Sequence, residues 1–324
     1  MKRRLLLKSI AALAGFQALP SHSQTVFPTK PVRLVIPFTP GGSTDILGRA
    51  IAQALSEAWR QSVVAENRPG AGGAIGADAV AKSAPDGYTL LMGHIGTLAV
   101  NPNLYPKLPY NPMTDFSPLA MVGLVPNVLV VNPKLPVKNL ADFIALAKSK
   151  PGALNYATGG VGSAAHLAME YFKLATGTDI VHVPYKGTAP ALADLIGGQV
   201  SVTMTGLPPL LPQLRAGKLR ALGVASAARL EQIPEVPAID SSGVPGFEAT
   251  QWYGVVGPAK MAAPLVDQIA GEIRRALARP ELKKRLEDEG ALPSNMGPAE
   301  FRAMIGAEIE RWGKVIRAAK IQPE

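Results

Sequence analysis

Residues 32–59, VRLVIPFTPGGSTDILGRAIAQALSEAW, decide the fold class. The run Val32–Phe38 is almost wholly apolar, which suits a strand buried on both faces. Thr44–Trp59 then sets Ile46, Leu47, Ala50, Ile51, Ala54, Leu55 and Trp59 on one stripe of a helix. Working outward, Val63–Glu66 and Tyr88–Met92 read as further strands, with a helix around Ile75–Lys82 between them. That order, β-α-β-α-β, predicts an α/β fold with a mainly parallel, doubly wound sheet.

The middle of the chain repeats the theme. Strands are expected at Leu119–Val131, Leu154–Thr158, Ile180–Val183, Val200–Met204 and Leu219–Ala225. Helices are expected at Leu140–Lys148, Ser163–Leu174 and Thr188–Ile196, the last stopped by Gly197-Gly198. The last third supplies a strand at Thr250–Val256 and helices near Leu265–Leu277, Glu281–Asp288 and Pro298–Ala319. In the final helix Phe301, Met304, Ile305, Ile309, Trp312 and Ile316 recur at helical spacing, so it should pack on a lobe. Two α/β lobes fit 324 residues better than one large sheet.

Composition excludes several classes of function. With no cysteine, disulfides, thiolate catalysis and Cys-ligated zinc are ruled out. Four histidines, no H-E-x-x-H and no acid-rich calcium loop leave no metal to expect, and no cofactor is expected either. MKRRLLLK opens the chain, an apolar run to Leu19 follows, and Pro20-Ser21-His22-Ser23 ends in small residues. This is the layout of a secretory signal peptide over residues 1–23, and Arg3-Arg4 also approaches a twin-arginine signal. Residues 1–23 hold four Lys/Arg and no acid, so without them the formal charge falls from +9 to +5. No basic stripe with interleaved aromatics remains for nucleic acid. An exported, monomeric protein is expected.

Three strand-to-helix junctions share one design. The first is Phe38-Thr39-Pro40-Gly41-Gly42-Ser43-Thr44-Asp45. The second is Thr158-Gly159-Gly160-Val161-Gly162-Ser163, and the third is Pro184-Tyr185-Lys186-Gly187-Thr188. Each leaves a strand through glycine and enters a helix with Ser or Thr at its start. Unpaired N–H groups at a helix start and the positive end of its dipole attract an anion. In open α/β sheets such loops lie beyond the carboxyl ends of strands, where ligands bind. Each Ser or Thr also serves simply as a helix cap, so the argument rests on three loops acting together.

Other residues carry weaker signals. His94 and Thr97 follow the strand Tyr88–Met92 at the same sheet end. His166 stands three residues after Ser163 and shares its helix face, but no G-x-S-x-G surrounds Ser163, so no catalytic residue is assigned. Asp45 suits the first helical turn by its charge, and could otherwise accept from a ligand ammonium, hydroxyl or water. The run Gly160-Val161-Gly162-Ser163-Ala164-Ala165 matches G-x-G-x-x-A, with Asp179 nineteen residues beyond Gly160. An exported oxidoreductase with a dinucleotide in that loop is therefore the alternative reading. It is weakened because Asp179 precedes its strand instead of ending it.

These segments resemble the Bug-type extracytoplasmic solute receptors of tripartite tricarboxylate transporters. The resemblance is carried by FPTKP (27–31), PFTPGGSTD (37–45), VAENRPGAGGAIG (64–76), APDGYTLL (84–91), NYATGGVGS (155–163), HVPYKGTAPALADLIGG (182–198) and AGKLRAL (216–222). It implies a two-lobed periplasmic binding protein of Venus-flytrap form. Its lobes would be 24–125 plus 226–324, and 126–225. It implies a ligand carboxylate held by amides and waters from the Pro40–Asp45 and Gly159–Ser163 loops, and membrane transporter subunits as partners. The ligand would be a dicarboxylate, tricarboxylate, aromatic acid or amino acid. Where the family often reads Phe-Asp-Asn-Leu-Pro-Ser, this chain has Met204-Thr205-Gly206-Leu207-Pro208-Pro209, so Thr205 stands in place of an acid.

Overall fold

The structure is a computed structural model that describes residues 27–318 with 321 and 322. The expected signal peptide at 1–23 lies outside the described residues. In chain order the elements begin β1 (Val32–Ile36), α1 (Ser43–Trp59), β2 (Val63–Asn67), α2 (Ala74–Ala81) and β3 (Thr89–His94). A π-helical turn (Gly96–Val100) and the short α3 (Asn101–Leu104) lead to β4 (Phe116–Val131). Then come α4 (Leu140–Ser149), β5 (Asn155–Thr158), α5 (Ala164–Thr176), β6 (Val181–Pro184) and α6 (Thr188–Gly197). After these follow β7 (Val202–Gly206), α7 (Leu207–Arg215), β8 (Arg220–Val224) and β9 (Thr250–Pro258). The chain closes with α8 (Ala263–Leu277), α9 (Pro280–Asp288), β10 (Leu292–Pro293) and α10 (Pro298–Ala318).

The doubly wound pattern is present twice, as parallel triplets: β2-β1-β3 in one lobe and β6-β5-β7 in the other. The expected mainly parallel sheets are extended by antiparallel strands. In the first lobe β9 runs antiparallel to both β3 and β4; in the second, β4 runs antiparallel to β7 and β8. The reason is connectivity. A chain that crosses from one lobe to the other and returns must lay two strands side by side in opposite directions. β4 is the outgoing crossing: residues 116–126 pair with β9, and residues 127–131 pair with β7.

Each lobe has its own apolar interior. α1 lays Leu47, Ile51 and Leu55 against Leu34, Ile36 and Leu90 of the first sheet. In the second lobe Phe143 and Phe172, from α4 and α5, pack on Leu129, Tyr156 and Met204. Residues 226–249, placed with the first lobe from sequence, pack on the second: Leu230, Ile233, Val236 and Ala238 share a cluster with Val128 and Val224. The return crossing therefore comes near Ala249, not at residue 226. Its backbone is tied there, with Asn127 N–H donating to Ala249 O and Ala249 N–H to Ala225 O.

α10 packs across β9, as its apolar spacing requires, with the Phe301 ring edge-on to Trp252, the ring centroids 5.7 Å apart. Gly254 is what admits it. A Cβ there would meet the Phe301 ring and stand 2.9 Å from Ala120 O. Gly254→Ala should therefore cost about 1–3 kcal/mol of stability by overpacking. Urea unfolding would measure this, and an unchanged midpoint would contradict the packing.

Candidate functional site

Three helix starts line one cavity between the lobes, and a fourth helix, α7, begins just past it. Its lining takes Phe38, Gly42, Ser43 and Thr44 from the β1–α1 loop, and Gly159, Ser163, Ala164 and Ala165 from the β5–α5 loop. Thr188 opens α6, Thr205 precedes α7, and His94, Gln251 and Tyr253 close the floor. The amides of Ser43 and Thr44 are among the orphan donors of α1, whose Asp45 and Ile46 amides already bond to Gly42 O. At α5 the Ser163 Oγ accepts from His166 N–H, which leaves the hydroxyl proton to donate into the cavity. None of the lining side chains is Lys, Arg, Asp or Glu. Helix starts are thus the donors and positive dipole ends that the lining offers an anion. The cavity holds ≈ 30 Å³, about two water-sized positions.

His94 supplies a directed donor. Its Nδ1 accepts from the amides of Gly96 (3.1 Å) and Thr97 (3.3 Å), so the neutral ring carries its proton on Nε2. Burial lowers its pKa to about 4, so it stays neutral near pH 7. The ring packs 4.6 Å from Phe38, centroid to centroid, and 5.8 Å from Tyr253. Thr97 does not line the cavity. Its hydroxyl donates to His94 O and accepts from His94 N–H, locking the loop that presents the ring.

Several sequence-picked residues support the cavity walls without lining them. Asp45 accepts from the Gly41 amide (3.0 Å), from Arg49 Nε (2.9 Å) and from Asn67 Nδ2 (2.9 Å). Burial pushes its pKa up, but the hydrogen bonds from Arg49, Gly41 and Asn67 outweigh this, and the net shift is downward. Its carboxylate is thus spent on clamping the Gly41 loop, with Pro40 and Gly41 exposed outside the cavity. Below the second loop, the rings of His166, His182 and Tyr156 stack in a column, His166 on His182 at 4.1 Å. His166 Nδ1 accepts from the Gly162 amide, and Thr158 Oγ1 meets His182 Nε2 at 2.7 Å and accepts from Gly160 N–H. Burial lowers the pKa of both histidines. Val161 turns away into the first lobe's apolar cluster. Tyr185 donates to Asp194, and burial followed by that carboxylate lifts its pKa to about 12. Lys186 is exposed and reaches no part of the cavity lining.

The lobes meet around this cavity. Tyr105 OH donates to Val161 O, and a Cβ on Gly162 would stand 2.7 Å from Leu104. Thr39 of the first loop presses on Gly187, whose φ of +152° belongs to glycine.

Comparison with known proteins agrees with this architecture. The family model described as tripartite tricarboxylate transporter family receptor matches residues 47–321. The chain belongs to that receptor family. Protein BugT of Bordetella pertussis is 40% identical over 318 residues, covering 98% of this chain and 97% of that protein. A solved structure of an R. palustris protein with adipate superposes with TM-score 0.90 at 41% identity, covering 92% of this chain and all of that one. MatC from Rhodopseudomonas palustris with bound malate gives TM-score 0.85 at 35% identity over 90% of this chain and 100% of its own. The fold of this family receptor is that of the periplasmic binding proteins.

The receptor geometry also bears on the dinucleotide motif. Asp179 O accepts from Gly152 N–H at the strand starts, whereas Gly160 lies past Thr158 at the strand ends. The acid and the glycine loop therefore sit at opposite edges of the sheet, and the fingerprint lacks its ribose partner. Thr188, in the third junction, lines the cavity as its loop suggests, whereas Ala164, Ala165, Gln251 and Tyr253 are lining residues that the sequence reading does not single out as ligand contacts. The dipeptide after Ser163 is findable as a helix start; Gln251 and Tyr253 carry no local signal beyond a strand.

The buried His94 and His166 and the half-buried His182 set a pH dependence. Their folded pKa values lie below the ordinary 6.5, so between those values the unfolded chain binds protons that the folded chain does not. Stability should be full above about pH 6.5 and fall as pH drops toward 4. Urea midpoints at pH 7.5 and pH 5 test this; equal midpoints would contradict neutral, buried imidazoles.

Proposed function

We infer that this chain is an exported receptor that captures a small organic carboxylate between its lobes, without transforming it, for a tripartite transporter in the membrane. The observation that carries this reading is the convergence of the α1 and α5 starts, one from each lobe, on a cavity lined by no ionic side chain. Amide donors and the neutral His94 suit a carboxylate whose charge is met by dipoles. The lobes run approximately to residue 126 and from 250 onward, and from 127 to 249, and the ligand would bind as they close. Adipate and malate in the related structures support a dicarboxylate. Family membership supports the periplasm as its location and membrane subunits as its partners; among the described residues no helix is long and apolar enough to cross a membrane.

Thermal unfolding in a panel of dicarboxylates, tricarboxylates, aromatic acids and amino acids tests the reading. A ligand at 100 times its Kd should add roughly 2.7 kcal/mol. No shift with any acid, or a co-purified flavin or nicotinamide, would overturn it. Once a ligand is found, calorimetry should rank the variants. Ser163→Ala should weaken binding by about 1–2 kcal/mol, the scale of one lost hydrogen bond. Gly187→Ala should weaken it more, because the new Cβ meets Thr39 and holds the lobes apart. Lys186→Ala should stay near wild type; if it proves the worst of the three, binding rests on a cation and not on helix starts.

A further inference from the structure

Gln251 stands at the cavity floor with its amide turned one way only. Ala249 O, a carbonyl that only accepts, takes a proton from Asn127 Nδ2 at 2.8 Å. Asn127 Oδ1 therefore faces Gln251, and it accepts from Gln251 Nε2. At the other end of the same amide, Gln251 Oε1 accepts from the Tyr253 hydroxyl. Turning the Gln251 amide over would set oxygen against oxygen at Asn127. Asn127, Gln251 and Tyr253 are 2%, 4% and 1% exposed, so bulk water does not relax this order.

One proton of Gln251 Nε2 goes to Asn127, and the other has no partner among the described residues. The Nε2 end is also the end that meets the α1 corner of the cavity. Gly206, just ahead of α7, leaves it uncovered. A Cβ there would stand 3.3 Å from Gln251 Nε2 and 2.6 Å from Ser43 Oγ, and Ser43 and Gln251 line the same cavity. His94 offers a second fixed donor, since its Nδ1 accepts twice from the backbone and leaves the ring proton on Nε2. The α1 and α5 starts add amides and the positive ends of two dipoles. Asp45, the carboxylate of the first loop, is held by Gly41, Arg49 and Asn67 and lies outside the lining. A ligand oxygen on this floor meets protons, whereas a ligand cation meets N–H groups and dipole ends of its own sign.

We propose that Gln251 is a specificity-determining residue: held as a donor at the cavity floor, it makes the receptor take carboxylic acids that carry no ammonium group and reject amino acids of the same carbon skeleton. This rests on the carboxylate reading above and narrows it. A plain acid brings only acceptors to the Gln251 proton. An amino acid brings a positive charge with three N–H donors, so the Gln251 proton meets no lone pair and the ammonium finds no counter-charge. Discrimination then comes from unpaired groups in a dry space and not from ligand size.

Calorimetry on the purified protein at neutral pH tests it with four pairs: succinate against L-aspartate, glutarate against L-glutamate, adipate against L-2-aminoadipate, and 3-phenylpropanoate against L-phenylalanine. In each pair that binds, the amino acid should be about tenfold or more weaker, the scale of one unpaired buried donor. Gln251→Glu puts a carboxylate where the amide donor stood. It should weaken the plain acid and bring the ratio to below about threefold, or invert it. Gln251→Met, which keeps the length without the donor, should also weaken the plain acid and narrow the ratio. Lost stability alone would leave the ratio between two acids unmoved. Thermal unfolding shows which variants fold; Gln251→Met carries the test if Gln251→Glu does not fold, and the wild-type ratios decide if neither does. Equal affinity within the wild-type pairs, an amino acid bound more tightly than its partner, or a ratio unmoved in a folded Gln251 variant overturns the inference and leaves the carboxylate reading standing. Binding in none of the four pairs overturns the inference too, and binding of no acid in the wider panel overturns both.

Discussion

β4 is the constraint on which the rest depends. It is sixteen residues long, and its hydrogen bonds belong to β9 at one end and to β7 and β8 at the other. One strand thus fixes the distance and angle between two sheets, and with them the gap into which the helix starts point. Because β9 returns beside it, the two crossings form a short antiparallel ribbon between the lobes. The register at this ribbon is kept by Asn127, whose side chain and backbone both bond to Ala249.

The candidate anion site follows from that frame and from an economy in charge. Arg49, one turn into the helix that the first loop opens, is paired with Asp45 through both Nε and Nη2, so it braces the loop. What remains is a set of N–H groups that cannot titrate and cannot be hydrated away from their helices. Backbone donors of this kind are placed by glycines: Gly41 and Gly160, at φ +87° and +118°, turn the two loops so that the amides beyond them point inward.

Most of the fold was legible because each lobe is built from local β-α-β units, whose periods survive in short windows. The parallel triplets, α1 and α10 were all readable in this way. α7 was not, since Pro208, Pro209 and Pro212 look like breakers; the first two occupy the opening turn, where no N–H is needed. The lobe boundary was misread for residues 226–249 because their apolar residues have no regular period and pack only through long-range contacts. The loop glycines and helix-start residues that line or frame the cavity are visible in the sequence as strand-to-helix junctions. Gln251 and Tyr253 are not, because alternation along a strand cannot tell a buried polar network from a polar face. Asp45 shows the converse: its position suggested a ligand contact, and only the Arg49 and Asn67 partners reveal a brace.

The contact between the lobes is also a thermodynamic statement. Val161, Ala164 and Leu167 of the second lobe share an apolar cluster with Leu98, Leu104 and Tyr110 of the first. Any opening of the cleft wets these side chains, and any closing dries them again, whatever acid lies inside. A closure that dries these side chains releases solvent between protein surfaces whatever the ligand, and burial of this kind lowers the heat capacity. Recognition at the amides then needs to supply only the difference between one acid and the next.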